Sequence, residues 1–341
     1  MRSSVMTHLK LTHPSFSARF SAQLLSGTLI IGAAACGSGG SGDGDSDAGM
    51  TIDAADNRPD AFVPTNCDSL TKPTAQARQI GVPVHEDFGF DNMGYLIGIN
   101  GTGLVRSNNQ GMTENVIPGV GSGSARGTRQ LPGGDYVIAV VNDSNGDNEV
   151  RRYNAAGSPV WKTQINDPNG IVVASNGMIY VTAGAGTVHR LNPDTGEKRL
   201  LHQGSSFDGI TLSPDESTLY FDSETGEIMS LELRPDGTFG IAKPLIKIPI
   251  QFLLDGMTTD ACGNLYIVEM AGVIWRYSTD GVLEEWIPKT LLGGQSLDLI
   301  PAINFGSGLG GWNNESIYVM SFGGGVTEFD LGVRGRPSAN L

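Results

Sequence analysis

The chain has 341 residues, 48 of them glycine, and a formal net charge of −14. A length of this order suits one large domain or two small ones, and the many glycines indicate many tight turns and therefore many strands. The acidic balance argues against nucleic acid as a partner, because an anionic surface repels phosphate backbones.

The first 35 residues have the composition of a signal peptide. Arg2, Lys10 and Arg19 give a basic start, and the apolar run "LLSGTLIIGAAA" follows. This run is too short to span a bilayer and has the length of a signal-peptide core. We therefore expect residues 1–35 to be a signal peptide and the protein to be exported.

The segment after the leader reads as a tether. "AACGS" resembles the lipobox of bacterial lipoproteins, with Cys36 as the lipid-bearing residue, although Ala33 stands where a leucine-like residue is usual. Ordinary cleavage just before Cys36 is the alternative. Glycine, serine and aspartate dominate residues 37–66, a composition that cannot form a core. The predicted organisation is a flexible tether over residues 36–70 and one domain over residues 71–341, in a lipoprotein of the bacterial cell envelope.

Two cysteines remain if Cys36 is acylated. Cys67 and Cys262 would both lie in an oxidising compartment, where a leftover pair indicates a disulfide. The sequence leaves open whether the two thiols meet.

Short segments with the composition of β-strands, here called pulses, recur along the rest of the chain, and their starts lie 40 to 52 residues apart. Each pulse is followed by a second one and, in most units, by a polar turn that contains glycine. They are "GYLIG", "GDYVI", "GMIYV", "STLYF", "GNLYI" and "ESIYV", which begin at Gly94, Gly134, Gly177, Ser217, Gly263 and Glu315. A unit of this length with four short strands is typical of a propeller blade. We therefore predict an all-β fold, a six-bladed β-propeller of four-stranded blades; two packed sheets are the alternative.

The sixth unit is one strand short. The stretch "AQARQIG" over residues 75–81 precedes the first unit and is expected to supply the missing outer strand. Closure of the ring by this N-terminal strand would remove the open sheet edges that invite aggregation.

The first strand of each blade lines the channel of a propeller, so the residue that heads it is expected to face the axis. Counting back from each pulse gives Glu86, Arg126, Asn169, Asp208, Asp255 and, after an insertion, Asn304. Carboxylates crowded on one axis repel each other unless a cation neutralises them. Oxygen ligands favour calcium, with magnesium or manganese as alternatives. Each acid could instead cap a turn.

Several segments resemble the senescence marker protein, gluconolactonase and luciferin-regenerating enzyme family. They are "HEDFGFD", "DPNGIVVASNGMIYVTA", "FDGITLSPDESTLYF", "DGMTTDACGNLYIVEM" and "IYVMSFGGGVTEFDLGVRG". The resemblance covers roughly residues 75–335. It implies a six-bladed propeller with one catalytic divalent metal, usually calcium, and hydrolysis of lactones; some relatives cleave organophosphates.

The resemblance also implies a ligand set. The family's glutamate, asparagine and aspartate positions correspond to Glu86, Asn169 and Asp255, and its second asparagine corresponds to Asp208, where amide has become acid. An arginine of some sugar-lactone members is replaced by Asp167, which puts a sugar-lactone substrate in doubt.

The leading hypothesis is a metal-dependent hydrolase that acts on a lactone or related ester, a small molecule. Asp255, Asn169 and Arg126 are its candidate catalytic residues, Arg126 as a replacement positive charge. Glu86, Asn169, Asp208 and Asp255 would hold one divalent cation; calcium is expected, and magnesium, manganese and zinc stay open. The rival hypothesis is a non-enzymatic, envelope-anchored propeller that binds a ligand or protein around a structural metal. Either form is expected to be a monomer that meets the membrane only through its lipid.

Overall fold

The computed structural model describes residues 67–120, 125–142, 147–292 and 299–340. The predicted signal peptide, Cys36 and most of the tether lie outside the described residues. Within these ranges the chain is almost entirely β, with two short 3-10 helices at Cys67–Ser69 and Lys289–Leu291. No helix in this part of the chain has the length and apolar character needed to cross a membrane.

Across the described residues, twenty-four strands form six antiparallel sheets of four strands each, which confirms the predicted six-bladed β-propeller. The first strand, β1 (Arg78–Ile80), belongs to the last sheet. Blade 1 contains β2 (His85–Phe90), β3 (Leu96–Ile99), β4 (Gly103–Ser107) and β5 (Thr113–Pro118). Blade 2 contains β6 (Ala125–Gln130), β7 (Tyr136–Asn142), β8 (Asp147–Tyr153) and β9 (Pro159–Gln164). Blade 3 contains β10 (Pro168–Val173), β11 (Ile179–Ala183), β12 (Thr187–Leu191) and β13 (Lys198–Gln203).

The remaining blades follow the same order. Blade 4 contains β14 (Phe207–Leu212), β15 (Thr218–Ser223), β16 (Glu227–Glu232) and β17 (Lys243–Lys247). Blade 5 contains β18 (Leu254–Thr259), β19 (Leu265–Glu269), β20 (Val273–Tyr277) and β21 (Leu283–Ile287). Blade 6 contains β22 (Ile303–Phe305), β23 (Ser316–Met320) and β24 (Val326–Asp330), with β1 as its outer strand. The first strands of successive blades adjoin one another around a ring, from β2 through β6, β10, β14, β18 and β22 back to β2.

The core is divided among the spaces between blades. One apolar cluster lies between each pair of neighbouring blades, so every sheet is buried on both faces. Between blades 4 and 5, for example, Ile228 and Ile248 pack against Leu254, Met257 and Ile267. Burial on both faces explains why the second strands are continuous apolar runs instead of alternating ones.

The ring closes as the sequence predicts. Strand β1 pairs antiparallel with β24, with Arg78 opposite Glu328 and Ile80 opposite Val326, and the guanidinium of Arg78 forms an ion pair with the carboxylate of Glu328. The N-terminal strand therefore supplies the outer edge that the sixth blade lacks, which confirms the assignment of residues 75–81 to ring closure.

A disulfide anchors the start of the domain. Cys67 and Cys262 are bonded across a separation of 195 residues, with their Cα atoms 5.8 Å apart. The chain then crosses blade 5, where Leu70 packs on the core between blades 5 and 6 and Lys72 donates to the carbonyl of Glu285 at 2.6 Å. The bridge thus fixes the segment that leads into the closing strand.

Candidate functional site

Each of the first five innermost strands contains a β-bulge near its start. Strand pairing skips two residues at this point in all five blades, between His85 and Phe88 in blade 1 and between Phe207 and Ile210 in blade 4. The first skipped residues are Glu86, Arg126, Asn169, Asp208 and Asp255. A bulge removes a residue from the ladder and redirects its side chain, which is why a poor strand former such as aspartate stands here.

Glycine follows four of these residues because neighbouring strands approach closely at the axis. A Cβ on Gly209 would lie 2.2 Å from the carbonyl oxygen of Asp255, and one on Gly170 would lie 2.5 Å from that of Asp208. In blade 1 the second bulge residue is Asp87, and Glu86 itself takes a left-handed backbone with φ of 67°. Such backbone in a residue other than glycine costs free energy and is concentrated at functional sites.

The five bulge residues converge on one cavity at the end of the channel where the innermost strands begin. Glu86, Arg126, Asn169, Asp208 and Asp255 all line it. The empty space is about 380 Å³, including the part open to solvent. The structure therefore brings together every residue that the sequence places in the metal or catalytic set.

Asn304, the residue predicted to face the axis from blade 6, is not in this cavity. Its amide donates to the carbonyl of Phe88 at 2.6 Å, and blade 6 presents Pro301 and Ile303 to the cavity instead. Strand β22 has no bulge, and its Ile303 pairs with Val319 as Met257 pairs with Ile267 in blade 5. The count misses the bulge position in blade 6 because the loop after β22 is longer than in blade 5, and that position falls on Pro301; Asn304 lines the channel farther along the axis.

The cavity concentrates negative charge. Burial raises the pKa of Asp208 to about 7; Arg126 opposes the shift, and the nearby carboxylates of Glu224 and Glu86 add to it. Burial, together with the charges of Asp208 and Glu86, raises the pKa of Asp255 well above its usual range. Burial also raises the pKa of Glu86, against the pull of Arg126. Neighbouring carboxyls of this kind titrate as a coupled set, so protons or a cation must balance them at neutral pH.

Asp222 is a second-strand residue that the sequence argument missed. It is fully buried in β15, its Oδ1 accepts from the backbone N–H of Gly209 at 2.9 Å, and its Oδ2 has no hydrogen-bond partner among the described residues. Burial and the charge of Asp208 raise its pKa well above the usual range. The Asp222 carboxyl therefore stabilises the bulge that contains Asp208 by accepting a hydrogen bond from its backbone. An acidic residue inside the apolar run "TLYFDS" is the sequence feature that could have identified Asp222.

Two arginines border the cavity, and both are paired. Arg126 forms an ion pair with Asp167 at 3.5 Å, and Arg129 forms one with Asp87 at 2.5 Å. Asp167 is a further residue with a left-handed backbone, φ of 54°. The cavity therefore has no unpaired guanidinium from these two side chains, and its mouth stays acidic.

The chemistry of the donor set fits a hard divalent cation. Three carboxylates and one amide, from Glu86, Asp208, Asp255 and Asn169, line the same space, and oxygen atoms of these types are the ligands of calcium and magnesium. Among the described residues, no three acidic, histidine or cysteine side chains are already close enough to form a metal cluster. Binding would therefore require these side chains to draw together around the ion.

The close approach at Gly209 predicts a large cost for any side chain there. Gly209→Ala would place a methyl group against the Asp255 backbone and, at 2.6 Å, against Oδ2 of Asp222. We expect a loss of about 1–3 kcal/mol in the free energy of unfolding, measured by urea denaturation. Gly81→Ala is the matched control, since nothing lies within 4 Å of its Cβ position; equal effects of the two substitutions would contradict the packing argument.

The raised pKa of Asp208 predicts a pH dependence of stability in the presence of a chelator. The folded state holds this proton up to about pH 7, whereas the ordinary value is 3.8. The contribution to stability is therefore fully present below about pH 4 and lost as the pH rises through 7. The melting temperature of the parent should fall relative to Asp208→Asn between pH 5 and 8. A constant difference would refute the assignment; Asp280→Asn, at an exposed turn, keeps Asp208 and its melting temperature should follow that of the parent at every pH.

Fold and cavity together define a closed β-propeller with a polar site on its axis. The chain belongs to the SMP-30/Gluconolactonase/LRE-like family, whose sequence profile matches residues 95–290, more than half of the chain. Four of the five bulge residues lie in the matched range, and Glu86 precedes it. A comparison with curated protein sequences gives no match.

Solved structures share the fold at low sequence identity. A gluconolactonase from Xanthomonas campestris is 19% identical, with a TM-score of 0.61 over 79% of this chain and 97% of that one. A virginiamycin B lyase from Staphylococcus aureus with quinupristin is 17% identical, with a TM-score of 0.53 over 72% of this chain and 79% of that one. An auxiliary nutrient binding protein from Bacteroides thetaiotaomicron is 12% identical, with a TM-score of 0.58 over 76% and 75%. Enzymes and binding proteins thus share this architecture.

Proposed function

We propose that the protein is a metal-dependent hydrolase of a lactone or related ester, with calcium as the ion. The observation that carries the proposal is the convergence of three carboxylates and one amide on a single axial cavity in a member of the gluconolactonase-like family. Glu86, Asn169, Asp208 and Asp255 would hold the cation. A bound divalent cation would supply a Lewis acid for the substrate carbonyl and for the oxyanion that follows.

The chain's own groups would handle the proton and the substrate. Asp255 would accept a proton from the attacking water, because it lines the cavity beside the proposed cation site and the positive charge of the cation would keep it ionised. Attack by Asp255 itself on the carbonyl is the alternative route. The amide of Asn169 would donate a hydrogen bond to a substrate oxygen, and Arg126 would add positive charge beside the forming oxyanion.

The negative charge around the mouth of the axial cavity favours an uncharged substrate. Arg126 is paired with Asp167, and Glu86, Asp208 and Asp255 surround the remaining space. One divalent cation does not neutralise three ionised carboxylates, so an anionic substrate would meet repulsion here even with the cation bound. We therefore propose an uncharged lactone or ester as the substrate, in preference to one that carries a free carboxylate.

A hydrolysis screen with and without chelator tests the proposal. We expect the purified protein to hydrolyse at least one member of a panel of uncharged lactones and aryl esters. Chelator should abolish this activity, and added calcium should restore it. If no panel member is hydrolysed and chelator lowers only the melting temperature, the rival function is favoured: a binding propeller with a structural metal, as the nutrient-binding neighbour shares the fold.

Export and lipid anchoring at Cys36 remain proposals. The disulfide between Cys67 and Cys262 supports export, because structural disulfides persist in oxidising compartments such as the periplasm. Metabolic labelling with a palmitate analogue should mark the parent and not Cys36→Ser; equal labelling of both would refute lipidation at this residue.

A further inference from the structure

The channel has a second chamber at its other end. It is lined by the later residues of the innermost strands, among them Gln130, Thr211 and Thr258, and by residues from the C-terminal end of the chain. Its empty space is about 640 Å³, including the part open to solvent. Arg129 lines both this chamber and the cavity of the bulge residues, so the two lie in succession along the axis.

The floor of the chamber is residues 334–340, here called the tail segment. Its backbone bonds to blades 5 and 6, where Arg336 N–H donates to the carbonyl of Thr259 and Gly335 N–H to that of Asn314, both at 3.0 Å. The side chain of Asn340 donates to the carbonyl of Phe90 in blade 1, at 2.9 Å.

Side chains of the tail segment also reach the other blades. Asn340 donates to Oε1 of Gln130 in blade 2, at 2.9 Å. Arg336 donates to Glu216 in blade 4 at 3.1 Å and, at 3.5 Å, to the carbonyl of Val173 in blade 3. A segment of seven residues therefore contacts all six blades and holds Arg336 and Asn340 in fixed positions on the axis.

The lining of the chamber is cationic. Arg129 and Arg336 both line it, and none of its other lining residues in the described ranges is a carboxylate. The side chains of these arginines are largely buried, 20% and 12% exposed. Thr211, Thr258 and Asn340 add hydroxyl and amide groups to the wall.

Each of the two arginines has one carboxylate partner, Asp87 for Arg129 and Glu216 for Arg336. Glu216, the partner of Arg336, also accepts hydrogen bonds from the backbone N–H and hydroxyl of Ser175. Burial lowers the pKa of Arg336; Glu216 opposes the shift and repulsion from Arg129 adds to it. All hydrogen bonds of Arg129 to the described residues come from Nη1, which leaves its other nitrogen atoms for a ligand.

We propose that this chamber is a second binding site, specific for a small oxyanion held between Arg129 and Arg336. Planar guanidinium groups bind carboxylate and phosphate oxygens with paired, charge-assisted hydrogen bonds. The site adjoins the carboxylate cavity along the axis, shares Arg129 with it and is opposite to it in charge. The oxyanion could be an inorganic ion, or the carboxylate product of ester hydrolysis after passage along the axis.

Calorimetric titration of the purified, chelator-treated protein at constant ionic strength tests the site, with inorganic phosphate, sulfate and gluconate as probes. We expect saturable binding of at least one probe, and the preferred probe identifies the source as inorganic or organic. Arg336→Gln should weaken binding at least tenfold. Arg234→Gln is the matched control, since Arg234 pairs with Glu232 on the exposed outer face of blade 4, and it should bind as the parent does.

Two further variants keep the test decisive. Ser338→Asp adds a negative charge to the chamber wall and leaves the hydrogen bonds of Arg336 and Asn340 in place, so it should also weaken binding at least tenfold even if Arg336→Gln fails to fold. Asp255→Asn should leave anion binding unchanged, which separates this site from the proposed hydrolase site. No saturable binding of any probe, or equal affinities in Ser338→Asp and the parent, would overturn the proposal.

Discussion

Asp255→Asn is expected to lower kcat/KM for lactone hydrolysis by at least about 100-fold, the range attributed to a positioned general base. The substitution keeps the size of the side chain and removes its ability to accept the proton of water. It also removes one of three carboxylates around the proposed cation. The measurement is the initial rate over a range of concentrations of the lactone that the parent hydrolyses fastest, with calcium in excess.

A matched control separates this effect from general damage. Asp280→Asn makes the same change at an exposed turn of the same blade and should leave kcat/KM unchanged. In the presence of chelator, Asp255→Asn should be at least as stable as the parent at pH 8, because a buried carboxylate has been removed. A rate within threefold of the parent would exclude Asp255 from the chemistry.

The second large effect is expected from the disulfide. Cys67 and Cys262 close a loop across 195 residues of sequence separation, and the chain-entropy model gives about 5 kcal/mol for a loop of this size. The double variant Cys67→Ser, Cys262→Ser should therefore lose several kcal/mol of unfolding free energy. The closing strand β1 follows within about a dozen residues, so the loss should reach the sixth blade.

Chemical denaturation of the oxidised parent, the reduced parent and the double serine variant measures this loss. The reduced parent is the control, since it lacks the bond but keeps both cysteines, and it should match the double variant. A double variant within 1 kcal/mol of the oxidised parent would contradict the entropic account. It would mean that contacts such as the Lys72 bond to Glu285 hold the N-terminal segment without the bridge.

The repeat pattern in the sequence is sufficient to predict most of the fold. Regular spacing of the second-strand pulses was sufficient to define six blades, because each pulse must pack on both faces against its neighbours. The sequence of the sixth unit contains one strand too few for a blade, and Arg78–Ile80 supplies the missing strand. These features depend on local hydrophobic pattern and on ring closure, both of which can be read from one chain.

The site was predictable wherever blades repeat without insertions. Counting back from each pulse located the bulge residues in blades 1 to 5, since every blade places its bulge at a similar distance from the second strand. In blade 6 the count, allowing for an insertion, gives Asn304, whereas the strand pairing places Pro301 at the position of the bulge residues. The sequence shows that blade 6 contains an insertion, but not how much of it lies in the loop after β22.

Contacts between distant segments could not be predicted. Asp222 supports Asp208 from the next strand, and the tail segment brings Arg336 to Glu216 across 120 residues of sequence. No periodic pattern marks either contact. The tail segment closes one end of the channel, and Asp222 accepts a hydrogen bond from a buried backbone N–H of the bulge. Both contacts join segments that only the folded structure brings together.

Calcium titration of the chelator-treated protein is the most direct test of the proposed axial metal site. Isothermal calorimetry should give one calcium ion per chain for the parent, no measurable binding for Asp255→Asn, and unchanged binding for Asp280→Asn. The absence of calcium binding in the parent, or equal binding in the parent and Asp255→Asn, would contradict the assignment of Glu86, Asn169, Asp208 and Asp255 as its ligands.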